Sequence, residues 1–144
     1  ERITWTGMLT GDARWGAYYA AETFCLPSHS ENFGMVVAEA LARGLPVLIS
    51  DRVNIWREIE ADRAGFVAPD TLAGTVSLLT RWLGLSEAER VKMCGRARAC
   101  FASRFEMRKA TKKLLSVIER IIGQSSSVPD AKRDTAGADR NVPN

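Results

Sequence analysis

The stretch GLPVLIS, residues 44–50, constrains the fold more than any other part of the chain. Before it, apolar residues fall at positions 33, 36, 37, 40 and 41, the spacing of a helix that packs one face on a sheet. Gly44 stops that helix, and Pro46 lies just beyond it. PVLIS is then a run of strand length whose first four residues are apolar, without the alternation of a half-solvated strand. A strand of this kind, entered from a helix, belongs to a parallel sheet covered on both faces.

The same alternation extends in both directions. ITWT at 3–6 reads as a strand that stops at Gly7, and 12–21 has apolar groups at helical spacing. TFCLPS at 23–28 is a short strand running into the polar loop SHSEN. After PVLIS come a helix over 54–62, opened by an Asn54 cap, and a strand at 65–69, GFVAP. The fold class is therefore α/β, a Rossmann-like parallel sheet flanked by helices.

Beyond Pro69 the pattern changes to three trailing helices, over 71–83, 86–103 and 105–122, with Ser86 and Glu89 placed for a capping box. Residues 1–123 are read as one domain. Residues 124–144, polar and with three charges of each sign, are read as a disordered tail. Doubly wound sheets usually have more than these four strands, and the chain opens almost directly on a strand without Met. The expectation is a piece of a longer protein, lacking its first strand or strands.

With 144 residues, 46% of them hydrophobic, the chain has enough apolar material for one real core. Its net charge of +3 hides an asymmetry: 6 Lys and Arg against 10 Asp and Glu in 1–80, then 11 against 4 in 81–120. The basic end, with Arg96, Arg98, Arg104, Arg108, Lys109, Lys112 and Lys113, fits a solvated helical face, a surface packed on another domain, or a surface facing an anionic membrane. Few aromatics accompany it and no reading motif is present, so nucleic acid is not expected as a partner.

Three cysteines without a C-x-x-C pair do not make a disulfide framework or zinc site, and Cys25, in an apolar run, reads as core packing. A single histidine, His29, excludes a His-rich metal centre and reads as a loop residue. No G-x-G-x-x-G follows a strand, which argues against a dinucleotide-dependent oxidoreductase. No signal-like segment or run of 18 apolar residues occurs, and the chain is expected to be cytoplasmic.

Glu31 and Glu39, with seven residues between them, are the candidate site. Local spacing allows ordinary roles for both: Glu39 paired with Arg43 four residues on, and Glu31 as a charge favoured near a helix N-terminus. The alternative starts from the amides of Phe33, Gly34, Met35 and Val36, which lack intrahelical acceptors at a helix start and make an anion site after a strand's carboxyl end. Gly34 would allow close approach. Eight helical positions span roughly 12 Å, so the carboxylates would grip two parts of one elongated ligand rather than one atom. Phosphates between them and vicinal hydroxyls at either end describe a sugar diphosphonucleoside.

LPSHSENFGMVVAEALARGLPVLISD, with TWTGMLTGD before it and AGFVAP after it, resembles the donor-site region of the retaining family-4 glycosyltransferases of the GT-B fold, over about residues 3–70. The resemblance implies that the chain is the C-terminal, nucleotide-sugar-binding half of such an enzyme. Glu31, the candidate catalytic residue, would contact hydroxyls of the transferred sugar together with Asn32, Phe33 and Gly34. The amides around Gly34, Met35 and Val36 would serve sugar and diphosphate, and Glu39 would accept from the ribose hydroxyls. Gly7 and Leu9 match a loop near the nucleotide base.

The family relationship implies no metal and no cofactor beyond the donor substrate. It also implies transfer with retention of configuration, the carboxylates acting as binding groups unlike those of a glycosidase. Acceptor binding and a basic pair for the diphosphate would come from segments ahead of this chain, which alone is expected to have little transferase activity. Acceptors would be sugars or lipid-linked sugars, with peripheral contact at the inner face of the membrane. A non-catalytic nucleotide-sugar-binding module is the alternative.

Overall fold

The computed structural model describes residues 3–106. Its centre is a three-stranded parallel sheet in the order β1 (Phe24–Leu26), β2 (Val47–Ser50), β3 (Gly65–Ala68). The described residues also form α1 (Gly11–Ala20), α2 (Met35–Ala42), α3 (Trp56–Ala61), α4 (Leu72–Leu83) and α5 (Glu87–Cys100). A wide π-type turn, Phe101–Phe105, follows α5.

Register explains the two-sided burial of β2. Cys25, Leu48 and Phe66 stand abreast, as do Leu26, Ile49 and Val67, so the strand's alternate residues enter different cores. Val47 and Ile49 pack with Val37, Ala40, Leu41 and Ile59 of α2 and α3. Leu48 packs on the other side with Leu78 and Trp82 of α4 and Met93 of α5. Every residue of β2 is buried, the polar Ser50 included, as a strand in a parallel sheet covered on both faces requires.

The boundaries follow from caps. Gly44, at φ +79°, ends α2: its amide bonds Leu41 O at 2.9 Å and the Leu45 amide bonds Ala40 O at 3.0 Å, the paired bonds of a Schellman motif. Thr71 Oγ1 accepts from the Gly74 amide at 3.0 Å and opens α4. At α5 the capping box forms in both directions, with Ser86 N donating to Glu89 Oε2 at 2.8 Å.

Four expectations are corrected. Residues 3–6 form no strand: no described strand lies beside them, and Ile3 and Trp5 are exposed, so their β-forming side chains have no ladder to join. Asn54 does not cap α3, whose N-cap is Ile55 without a side-chain bond; the Asn54 amide group instead reaches Asn32 Oδ1 at 3.4 Å. Cys25 is exposed: among the described residues β1 is an edge strand of the sheet. The helix placed at 86–103 ends at Cys100 and passes into the wide turn. Of the helix expected at 105–122, Phe105 belongs to the wide turn and Glu106 is extended; the rest of it and the tail at 124–144 lie outside the described residues.

Candidate functional site

The loop that leaves β1 carries Glu31, and the structure ties that loop to its neighbour after β2. Glu31 makes a parallel bridge with Val53: its amide bonds Arg52 O and its carbonyl accepts from the Asn54 amide, both at 3.2 Å. Ser50, the buried polar residue of β2, donates its hydroxyl to Ser28 O. Glu31 is thereby held at the carboxyl end of the sheet, where open α/β folds take their ligands.

From there the chain turns into α2 through Gly34, which has left-handed geometry at φ +70°, ψ +52°. The Gly34 amide donates to Glu31 Oε1 at 3.3 Å, and the first amides to enter the helix ladder are those of Val37 and Ala38, both on Gly34 O. The amides of Met35 and Val36 take no partner among the described residues at the helix start. Gly34 itself is buried: a Cβ there would lie 3.1 Å from Val53 Cγ1 and 3.3 Å from Val37 Cγ2. The glycine is therefore demanded by positive φ and by packing beneath the turn, which corrects the expectation that it opens space for a ligand.

Phe33 is likewise outside the helix. It is 47% exposed and meets Phe105 edge to face, with ring centroids 6.1 Å apart. Val36 is also partly exposed, so the buried stripe of α2 is Val37, Ala38, Ala40 and Leu41.

Glu39, one turn into α2, does not pair with Arg43. Its Oε1 lies 3.2 Å from Arg14 Nη2, and its Oε2 accepts from the Tyr18 hydroxyl at 3.2 Å. Tyr18 is buried, and burial with the Glu39 contact raises its phenol above the ordinary 10.0. Arg43 instead bonds Tyr19 Oη at 2.6 Å and stacks over the ring of Trp15. Arg14 and Tyr18 sit four apart on α1, so their common face was legible as helical spacing, but which element it met was not.

Glu31, in the loop ahead of α2, and Glu39, within α2, make no direct contact. Gly7, at φ +66°, and Leu9 lie just ahead of α1, with no hydrogen bond to the 31–39 segment. A second group of charges lines the same end of the sheet: His29 after β1, Asp51 and Arg52 after β2, and Asp70 after β3. His29 Nδ1 is 3.1 Å from Asp70 Oδ2, and Arg52 Nε is 3.6 Å from both Asp70 and Asp51. The His29 contact, assisted by Arg52, holds the Asp70 carboxyl below its ordinary 3.8.

A cleft of about 740 Å³ lies elsewhere. It lies among Glu22, Gly44, Leu45, Trp82 and Arg90, at the end of the sheet where β1 and β2 begin, and holds none of the candidate residues. Among the described residues no group of three His, Cys, Asp or Glu could hold a metal ion, and no helix is long and apolar enough to cross a membrane.

A parallel sheet flanked by helices defines a Rossmann-like domain, and residues 1–99 match the family model of glycosyl transferases group 1. The chain belongs to that family, in the GT-B superfamily. It is 32% identical over 113 residues to sulfoquinovosyl transferase SQD2 of Arabidopsis thaliana, covering 76% of this chain and 22% of the relative. A D-inositol 3-phosphate glycosyltransferase of Segniliparus rotundus is 35% identical over 69% of this chain and 22% of its own length. The amylovoran biosynthesis glycosyltransferase AmsK of Erwinia amylovora is 31% identical over 70% of this chain and 26% of its own length. The chain thus spans about a quarter of the relatives it matches. No solved structure matches it.

Proposed function

We propose that this chain is the donor-binding part of a retaining, family-4-type glycosyltransferase, and that its ligand is a nucleoside diphosphate sugar. The observation that carries the reading is a group 1 family chain with the Glu31–Gly34 turn at the carboxyl end of its sheet and the Met35 and Val36 amides unengaged among the described residues. Those amides, with the positive end of α2 behind them, hold diphosphate oxygens. Glu31 and the Asn32-Phe33-Gly34 turn face hydroxyls of the sugar. Glu39 faces the ribose: Arg14 and Tyr18 occupy one site on each carboxylate oxygen, and a carboxylate offers about four.

Fixed groups of this kind accelerate transfer by orienting the donor and stabilising the departing diphosphate, with no metal and no protein nucleophile in the scheme. The acceptor, a sugar or lipid-linked sugar, binds to a domain outside this chain, and the whole enzyme works in the cytoplasm at the membrane's inner face. Calorimetric titration with UDP-, GDP- and ADP-glucose tests the reading: one nucleotide should bind, and Glu31→Gln should weaken it about tenfold or more, the scale of a lost charge-assisted bond. Equal affinity for parent and Glu31→Gln would refute the role of Glu31.

A further inference from the structure

Phe33 stands at the centre of the candidate turn, yet its ring is excluded from the buried face of α2 and leans instead on Phe105, 72 residues away along the chain. Phe105 closes the wide turn that follows α5, and that turn is anchored at its neighbour. Arg104 Nε and Nη2 donate to the two carboxylate oxygens of Asp62 at 2.6 and 2.7 Å. Asp62 is the residue that caps the end of α3, and burial, with the Asp62 carboxylate nearby, pushes the Cys100 thiol up to about 12. Ser103 Oγ closes the turn internally on Cys100 O at 3.1 Å. A single π-type turn at the end of an α-helix is uncommon and is often kept where a side chain must be aimed. Here it delivers one ring to the edge of the Glu31 loop.

We propose that Phe105 is a positioning residue for the Asn32-Phe33-Gly34 turn, with the two-pronged Arg104–Asp62 pair as its anchor. The ligand arm of this inference rests on the donor-site reading above. Its logic is mechanical. Gly34 and Phe33 are adjacent, the Gly34 amide carries the Glu31 carboxylate, and the ring contact of Phe33 with Phe105 sets the tilt of the peptide between them. Removing the Phe105 ring leaves the half-exposed Phe33 without its aromatic partner, so the turn samples other tilts and the carboxylate loses its aim.

The test separates the two arms. In the ¹⁵N-labelled chain, Phe105→Ala should displace the amide signals of Phe33 and Gly34 while leaving the cap amides of Gly74 and Glu89 in place. It should also weaken UDP-, GDP- or ADP-glucose binding by about 2- to 10-fold, the range of an edge-to-face pair. Phe105→Tyr should restore both. Arg104→Lys keeps charge and ring but cannot hold the two-pronged bond; it should move the same two amides, and it decides the matter if Phe105→Ala does not fold. Unmoved Phe33 and Gly34 amides would overturn the positioning role whatever the chain binds, as would moved amides with unchanged affinity. A parent chain silent toward every sugar nucleotide, with the Gly34 amide moving on substitution, would refute the donor site and uphold the coupling.

Discussion

Gly34→Ala probes the turn on which the site is built. An L-residue at φ +70°, ψ +52° costs about 1–2 kcal/mol. The added methyl would stand 3.1 Å from Val53 Cγ1 and 3.3 Å from Val37 Cγ2, two fully buried side chains that must give way, at a further cost of about 1 kcal/mol. Alanine also restricts the unfolded chain, which returns about 0.4–1 kcal/mol. The net expectation is a loss of about 1–2.5 kcal/mol, or roughly 0.5–2 M in the urea midpoint. Gly16→Ala is the internal control. It makes the same chemical change inside α1, where nothing lies within 4 Å of the new methyl, and should stabilise by about 0.5–1 kcal/mol. Urea unfolding followed by circular dichroism reads both. Midpoints that move together in the same direction would refute the left-handed, packed turn at Gly34.

Two further outcomes follow from local geometry. Arg63 ends α3 at φ +52° with the same paired bonds that Gly44 makes, so Arg63→Gly should raise thermal stability by about 0.5–1 kcal/mol; a decrease would show that the Arg63 side chain contributes more than its strained backbone costs. The Asp62 carboxyl is held below its ordinary 3.8, first by the hydrogen bond from Arg104, so its contribution is complete above that value and is lost as pH falls through the lower folded value. Asp62→Asn should therefore be less stable than the parent at pH 7, with the gap closing as the urea midpoints are followed into acid; a gap independent of pH would exclude the carboxylate as its source.

The parts of the fold that were legible in the sequence are those decided locally. PVLIS could be read as a covered strand because Pro46 to Ile49 are all apolar, Gly44-Leu45-Pro46 as a helix stop because the bonds of that motif involve only neighbours, and Ser86 with Glu89 as a cap for the same reason. What depended on distant partners was not legible. ITWT has strand-forming side chains, but a strand also needs a neighbour. Cys25 sits in an apolar run, but exposure at a sheet edge depends on which helix covers that edge. Arg43, four residues from Glu39, was drawn to Tyr19 and Trp15 across the α1–α2 contact, leaving Glu39 to Arg14 and Tyr18. Phe105 carried no local signal at all; its relation to Phe33 exists only because α5 and its terminal turn pack back beside α2.

The central claim is that one ligand spans Glu31 and Glu39, sugar at one carboxylate and ribose at the other, and saturation-transfer NMR on the bound sugar nucleotide addresses it proton by proton. The parent should transfer saturation to both sugar and ribose protons. Glu39→Ala should preferentially lose the ribose signals and Glu31→Ala those of the transferred sugar. Loss of the same protons in both variants, or no loss in either from a chain that circular dichroism shows to be folded, would contradict the arrangement.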